Sequence, residues 1–115
     1  MSAEAVAAAA LEENGWTILG RRIRTGAGEI DLVAERHAPG APAILAFIEV
    51  KKRNSLATAA HALRPRQRMR LLGAADALLA QNRDWTHQHV RFDVILVDSA
   101  GRTRRIADAF REGDG

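Results

Sequence analysis

The sequence predicts an α/β fold built on a mixed five-stranded sheet flanked by helices, in the order α, β, β, β, α, β, with a short last strand. Three observations lead there. The apolar patterning runs helix, three strands, helix, two strands. The third strand segment, Ile44 to Val50, is apolar on both alternating faces until Glu49, as expected of a strand covered on both sides. The long helical segment after it requires a crossover, which makes strands three and four parallel.

Ser2 to about Asn14 reads as a helix. Ser2 is a suitable N-cap, alanine fills the body, and Gly15 stands where a left-handed C-terminal residue is wanted. Glu4, Ala8 and Leu11 share a face by their spacing, so Glu4 either faces inward or complements the dipole of the first turn. Trp16 to Arg24 is the first strand, and Gly26-Ala27-Gly28 turns into the second, Glu29 to Ala34. This Gly-x-Gly leads into a strand and lacks a third glycine, so it is not a dinucleotide fingerprint. The stretch from His37 to Pro42 is a loop, and Ile44 to Lys51 is the third strand. A polar break at Asn54 and Ser55 precedes a loop or short helical piece up to Arg64.

Pro65 suits the first turn of a helix running to about Ala80. Met69, Leu72 and Leu79, helped by Ala75, are its expected apolar stripe, and Arg66 and Arg70 share another face. Gln81 to Gln88 is a polar connection anchored by Trp85. His87 and His89 have a spacing that could bind a metal, but no third ligand stands close by in sequence. Val90 to Val97 is a strand, Gly101 marks a turn, and Arg104 to Ala107 is a short final strand.

At 115 residues, 47% hydrophobic and 27% charged, the chain suits one folded domain rather than two. It has no cysteine, which excludes disulfides and thiolate metal sites and favours an intracellular, cytoplasmic setting. The apolar run from Val6 to Leu11 is too short and too acidic at its edges for a signal peptide, and no stretch is long enough to span a membrane. The net charge is +3, and Lys51, Lys52, Arg53, Arg64, Arg66, Arg68 and Arg70 concentrate positive charge just after the acidic residues of strands two and three. That distribution suits a polyanion such as DNA. Aromatic residues are only 4% of the chain, so few bases could stack on it.

Glu29 and Asp31 lie two apart in one strand segment, and Glu49 and Lys51 two apart in the next. Residues two apart in a strand point to one face. If the strands are neighbours, two acids and a lysine converge, a set able to hold a divalent cation and assist attack of water on a phosphate. The plainer alternative is a row of cross-strand ion pairs worth about 0.2–1 kcal/mol each. The charge of Glu49 at the end of a strand otherwise apolar on both faces favours a site, because a buried charge is costly unless paired or bound to metal.

These residues, in this order, resemble the YraN family, small bacterial proteins of the restriction-endonuclease-like nuclease superfamily, which also contains Holliday-junction resolvases. The resemblance rests on Glu4, Gly15-Trp16, Gly28-Glu29-Ile30-Asp31-Leu32, Phe47-Ile48-Glu49-Val50-Lys51 with Arg53, Arg91-Phe92-Asp93-Val94 and Ala109-Phe110. It implies a restriction-endonuclease-like domain over residues 1–110, with 111–115 a frayed tail. It also implies a Mg²⁺- or Mn²⁺-dependent endonuclease of the PD-(D/E)XK type acting on DNA, with branched or single-stranded DNA as candidates. Asp31, Glu49 and Glu4 would bind the metal, Val50 would offer its carbonyl, and Lys51 would act on the attacking water and the developing charge. Lys52, Arg53, Arg66, Gln67 and Arg70 are the expected nucleic-acid contacts, and resolvase-like relatives make a homodimer an expectation too. The chain departs from the family pattern at Ala3, where glycine is usual, and at Arg66, where lysine is usual. Arginine keeps the charge but cannot stand in for a lysine that transfers protons. Two other classes remain open: a nucleic-acid-binding module that retains the fold without catalysis, and an interaction protein whose charged strand ends bridge protomers.

Overall fold

The computed structural model describes residues 1–56 and 63–110, with the backbone only at Phe110. The elements are α1 (Ala3–Glu13), β1 (Thr17–Thr25), β2 (Gly28–Arg36), β3 (Ile44–Lys52), α2 (Pro65–Gln81), β4 (His89–Val97) and β5 (Thr103–Phe110). One five-stranded sheet has the order β1-β2-β3-β4-β5. All neighbours are antiparallel except β3 and β4, which run parallel through the α2 crossover. The mixed α/β sheet expected from the patterning is therefore the observed one. The expected loop or helical piece before Arg64 falls partly, and the frayed tail at 111–115 wholly, outside the described residues.

The helix ends follow from local chemistry. The Ser2 hydroxyl accepts from the Ala5 N–H, closing the first turn of α1. At the other end Gly15 has φ +86, Trp16 N–H donates to Leu11 C=O, and Gly15 N–H donates to Glu12 C=O. This is the paired closure that a left-handed glycine permits. It also drops Trp16 into the core beside Leu11.

The two helices cover opposite faces. Ala3, Ala7, Ala8 and Leu11 of α1 pack on Leu32, Ala34, Ala46, Ile48 and Ile95. On the other face Leu71, Ala74, Ala75 and Leu78 of α2 pack on Ile30, Val33, Leu45, Phe47, Phe92, Val94 and Leu96. Trp85 packs on the margin of that second cluster. Among the described residues no helix is long and apolar enough to cross a membrane.

The expected stripe of α2 requires a correction. Met69 is 72% exposed, whereas Leu71 is only 3% exposed, and Leu72 and Leu79 flank the buried row rather than forming it. Leu71, Ala74, Ala75 and Leu78 follow the i, i+3, i+4, i+7 spacing of a helix face. Two leucine pairs, 71 with 78 and 72 with 79, compete for the sheet. The small residues Ala74 and Ala75 let the first pair approach it closely.

Truncation should separate the two faces. Leu71→Ala is expected to cost about 2–5 kcal/mol, the range for emptying a packed site. Met69→Ala should stay within about 0.5 kcal/mol, as exposed positions do. Urea unfolding of both variants measures this, and equal losses would contradict the assigned face.

Candidate active site

The site is built where two strands part. The β2–β3 ladder runs from Arg36↔Ile44 to Leu32↔Ile48. Beyond that point β2 stays paired with β1 down to Thr25↔Gly28, while β3 stays paired with β4 out to Lys52↔Val97. Asp31 is the first β2 residue past the last β2–β3 pair. Its Oδ2 accepts the Val50 N–H at 2.8 Å, so a side chain takes over where the backbone ladder ends.

The face alternation of β2 slips at the same residue. Ile30 packs on the α2 side and Leu32 on the α1 side, although residues two apart in a regular strand share a face. On β1, Arg22 stands opposite Asp31, between the pairs Arg21↔Leu32 and Ile23↔Ile30, with φ +47. Its left-handed backbone is uncommon for a residue with a side chain.

Glu49 and Lys51 continue the alternation of Leu45 and Phe47 into the gap. Asp31 and Glu49 are each half-buried and lie near one another, near Lys51 and near Glu4 and Glu29, close enough for each charge to bear on both carboxyls. Desolvation by burial is the main reason that the Asp31 carboxyl is held above its usual range. The Val50 N–H and Lys51 oppose that rise, and Glu4 and Glu29 add to it. Burial also dominates at Glu49, which is pushed up from 4.5 to about 7; Asp31, Glu29 and Glu4 reinforce the rise and Lys51 opposes it. Like charges crowded in a partly dry place disfavour double ionisation. A divalent cation between them relieves both causes, so the donor set fits a hard, oxygen-seeking ion such as Mg²⁺ or Mn²⁺.

The structure places Glu49, Lys51 and Glu4 near enough to Asp31 for their charges to act on one another, the first two as strand spacing led one to expect and Glu4 as the family resemblance implied. Sequence reasoning missed Arg22. Its Nε and Nη2 reach one oxygen of Glu4 at 2.9 and 2.8 Å, so the helix acid enters the site already ion-paired. The sequence offers only the doublet Arg21-Arg22 in a strand as a hint. Glu29 is exposed and forms a looser pair with Arg24 at 3.4 Å.

The basic residues divide. Lys52, Arg66 and Arg70 are exposed. The α2 backbone passes close to the β1–β2 turn: a Cβ at Gly28 would lie 3.5 Å from Arg70 Cβ, and one at Gly73 would lie 3.0 Å from Ala27 Cβ. Arg70 thus stands beside the turn that leads to Glu29. Arg53 is half-buried and its Nη1 donates to Lys52 C=O at 2.7 Å. Gln67 spends its amide oxygen on the helix start, accepting from Arg64 N–H at 3.0 Å.

Asp93 belongs to a different structure. Its carboxylate is fully buried and accepts from Arg91 and from the Asp108 N–H, with Arg105 at 3.6 Å. The two guanidinium groups lie 5.5 and 5.3 Å from the Trp16 ring centre. Arg91, Asp93 and Trp16, which helped carry the resemblance, thus tie α1's exit to β4 and β5.

The sequence pattern of the uncharacterised protein family UPF0102 matches residues 3–97, which include all four clustered residues. The chain belongs to that family, the YraN family. A UPF0102 protein of Granulibacter bethesdensis is 57% identical over 111 residues, covering 96% of this chain and 67% of its own length. UPF0102 proteins of Rhodopseudomonas palustris and Azorhizobium caulinodans are each 44% identical over 110 residues, covering 96% of this chain and 81% and 80% of theirs. The family resemblance seen in the motifs is therefore real and spans nearly the whole chain.

The raised Glu49 pKa carries a pH signature. A proton held by the folded protein between pH 4.5 and about 7 is released on unfolding, so this group's contribution to stability is full below 4.5 and lost as pH rises through 7. Without divalent cation, Glu49→Gln should therefore stabilise the protein more at pH 8 than at pH 5.5. Urea midpoints of wild type and variant at both values test this, and an equal difference at the two would contradict the shift.

Proposed function

We propose that this chain is a divalent-cation-dependent nuclease that hydrolyses phosphodiester bonds in DNA, with branched or single-stranded DNA as its candidate substrates. The observation that carries the reading is the pair of half-buried carboxyls, Asp31 and Glu49, both held above their usual range beside Lys51 at the mouth of a parting strand pair. Relatives' names state a family and no activity, so the reading rests on the site.

Asp31, Glu49 and the Val50 carbonyl would hold the metal, with Glu4 at its margin. When bound, Mg²⁺ or Mn²⁺ supplies Lewis acidity and makes a coordinated water more acidic. Asp31 is fixed for that task by the Val50 N–H, which leaves its other oxygen for a ligand. The Lys51 ammonium orients the attacking water and offsets the negative charge that builds on phosphorus. Water's oxygen forms the new P–O bond, the bond to the departing sugar oxygen breaks, and the proton given up by water is balanced by one gained at that oxygen. Exposed Lys52, Arg66 and Arg70 contact backbone phosphates, with Arg53 and Gln67 supporting their segments. A homodimer would suit a branched substrate with two strands to cut.

The alternative is a binding module that keeps this fold. The pairing of Glu4 with Arg22 is its specific support, because it lowers the free carboxylate charge available to a metal. Nicking of branched, single-stranded and duplex DNA with Mg²⁺ or Mn²⁺ decides between them. Lys51→Ala should reduce cleavage by about 10²–10⁴-fold, the usual range for a positioned acid–base group, while leaving metal affinity nearly intact. Asp31→Asn should abolish both. Equal trace activity in wild type and Lys51→Ala would overturn the enzymatic reading and leave the binding module.

Affinity for DNA should fall with salt and depend little on sequence. Replacing Arg66 and Arg70 by alanine should lessen the slope of log K against log salt by about 0.7–0.9 for each phosphate left unneutralised. Affinity independent of salt would contradict a polyanion partner.

A further inference from the structure

At the other end of the sheet, a second group of ligating side chains has a different chemistry. Glu35 lies near the end of β2, His37 directly follows that strand, and His87 lies in the connection before β4. Glu35 stands in register with Leu45 of β3, four residues from Glu49, so about 13 Å of strand separates this group from the carboxylate site.

His37 Nε2 lies 3.2 Å from Glu35 Oε1, and His87 Nε2 lies 3.5 Å from that same oxygen. One ligand atom from each of the three residues falls within 4.8 Å of the others. With metal–nitrogen and metal–oxygen bonds of about 2.0–2.2 Å, the edge of a tetrahedral site is about 3.4 Å. The carboxylate-to-imidazole spacings already match it.

The second observation is at His87. Its side chain is only 6% exposed, and among the described residues neither ring nitrogen has a hydrogen-bond partner. Buried polar atoms are ordinarily satisfied, so an imidazole turned toward a carboxylate and a second imidazole lacks something that bonds to nitrogen. His37 is 63% exposed and leaves a route in from solvent. The two loops are already tied to each other, with Ala43 N–H donating to Gln88 Oε1 and His89 N–H donating to Ala43 C=O.

We infer that Glu35, His37 and His87 form a zinc-type transition-metal site, with water in the fourth position, that pins the β2–β3 loop to the α2–β4 connection. Two imidazoles and one carboxylate suit Zn²⁺, Co²⁺ or Ni²⁺ and are a poor set for Mg²⁺. The spacing of His87 and His89 offered no third ligand close by in sequence; in the inferred site His87 takes part, and Glu35 and His37 supply the other ligands. The site does not depend on the proposed nuclease reading.

The test uses the full chain without a histidine tag. Wild type should bind one Co²⁺ with the visible spectrum of a four-coordinate ion, release it to Zn²⁺, and unfold at higher temperature with Zn²⁺ present. His37→Ala, at an exposed position that should leave the fold intact, and Glu35→Gln should each weaken Zn²⁺ binding by at least about 10²-fold, more than the loss of an outer-shell partner. Asp31→Asn should leave it unchanged. Three results would overturn the inference: no stoichiometric Zn²⁺ binding by wild type, undiminished binding in His37→Ala and Glu35→Gln, or binding lost in Asp31→Asn.

Discussion

The hydrogen bond from Val50 N–H to the Asp31 carboxylate is the constraint on which the rest of the structure turns. Between Leu32 and Arg36 the second strand is held to the third by a regular backbone ladder. Past Leu32 the two strands follow different partners, and unmet backbone N–H groups in a half-dry gap would be costly. Asp31 satisfies one of them and in doing so fixes its own carboxylate beside Glu49. The same local slip that puts Ile30 and Leu32 on opposite faces turns Asp31 into the gap rather than into either core.

That arrangement stores electrostatic tension. Asp31 and Glu49 are both raised chiefly by burial and further by their acidic neighbours. Arg22 moderates this by holding Glu4, at the expense of a left-handed backbone in β1. Among the described residues the two other buried acids are both paired. Asp93 meets Arg91, Arg105 and a backbone N–H, and Asp98 is held below its usual range by the backbone N–H of Arg102, then by the guanidinium of that residue. The incomplete matching at Asp31 and Glu49 is therefore local to the gap, where a cation would be useful. The group at Glu35, His37 and His87 is incompletely matched in another way: its deficit is of bonds to nitrogen rather than of positive charge.

Much of this was legible in the sequence, for a simple reason. A strand's period of two is short, so Glu49 with Lys51 announces a shared face without any tertiary knowledge, whereas the slip of β2 at Asp31 could not be read from the pattern that pairs it with Glu29. The crossover after the third strand was legible too, because a long helix between strands leaves little choice of direction. The face of α2 was not, since Leu71 with Leu78 and Leu72 with Leu79 are neighbouring rows of similar hydrophobicity. Only the fit of Ala74 and Ala75 against the sheet chooses between them. Arg22 with Glu4, and His87 with His37 and Glu35, were invisible because they are distant in the chain and meet only when α1 packs beside β1 and the α2–β4 connection lies against the end of β2. The family motifs added the role expected of Glu4, which helical spacing alone left open.

The most direct measurement is the anomalous scattering of a crystal soaked in Mn²⁺ at a pH above 7, where Glu49 is largely ionised. A manganese peak should lie between the Asp31 and Glu49 carboxylates, within about 2.2 Å of an oxygen of each, and no such peak should occur in Asp31→Asn crystals. Manganese absent from that gap in the wild type, or bound there just as well after Asp31→Asn, would contradict a metal site built on these two carboxylates.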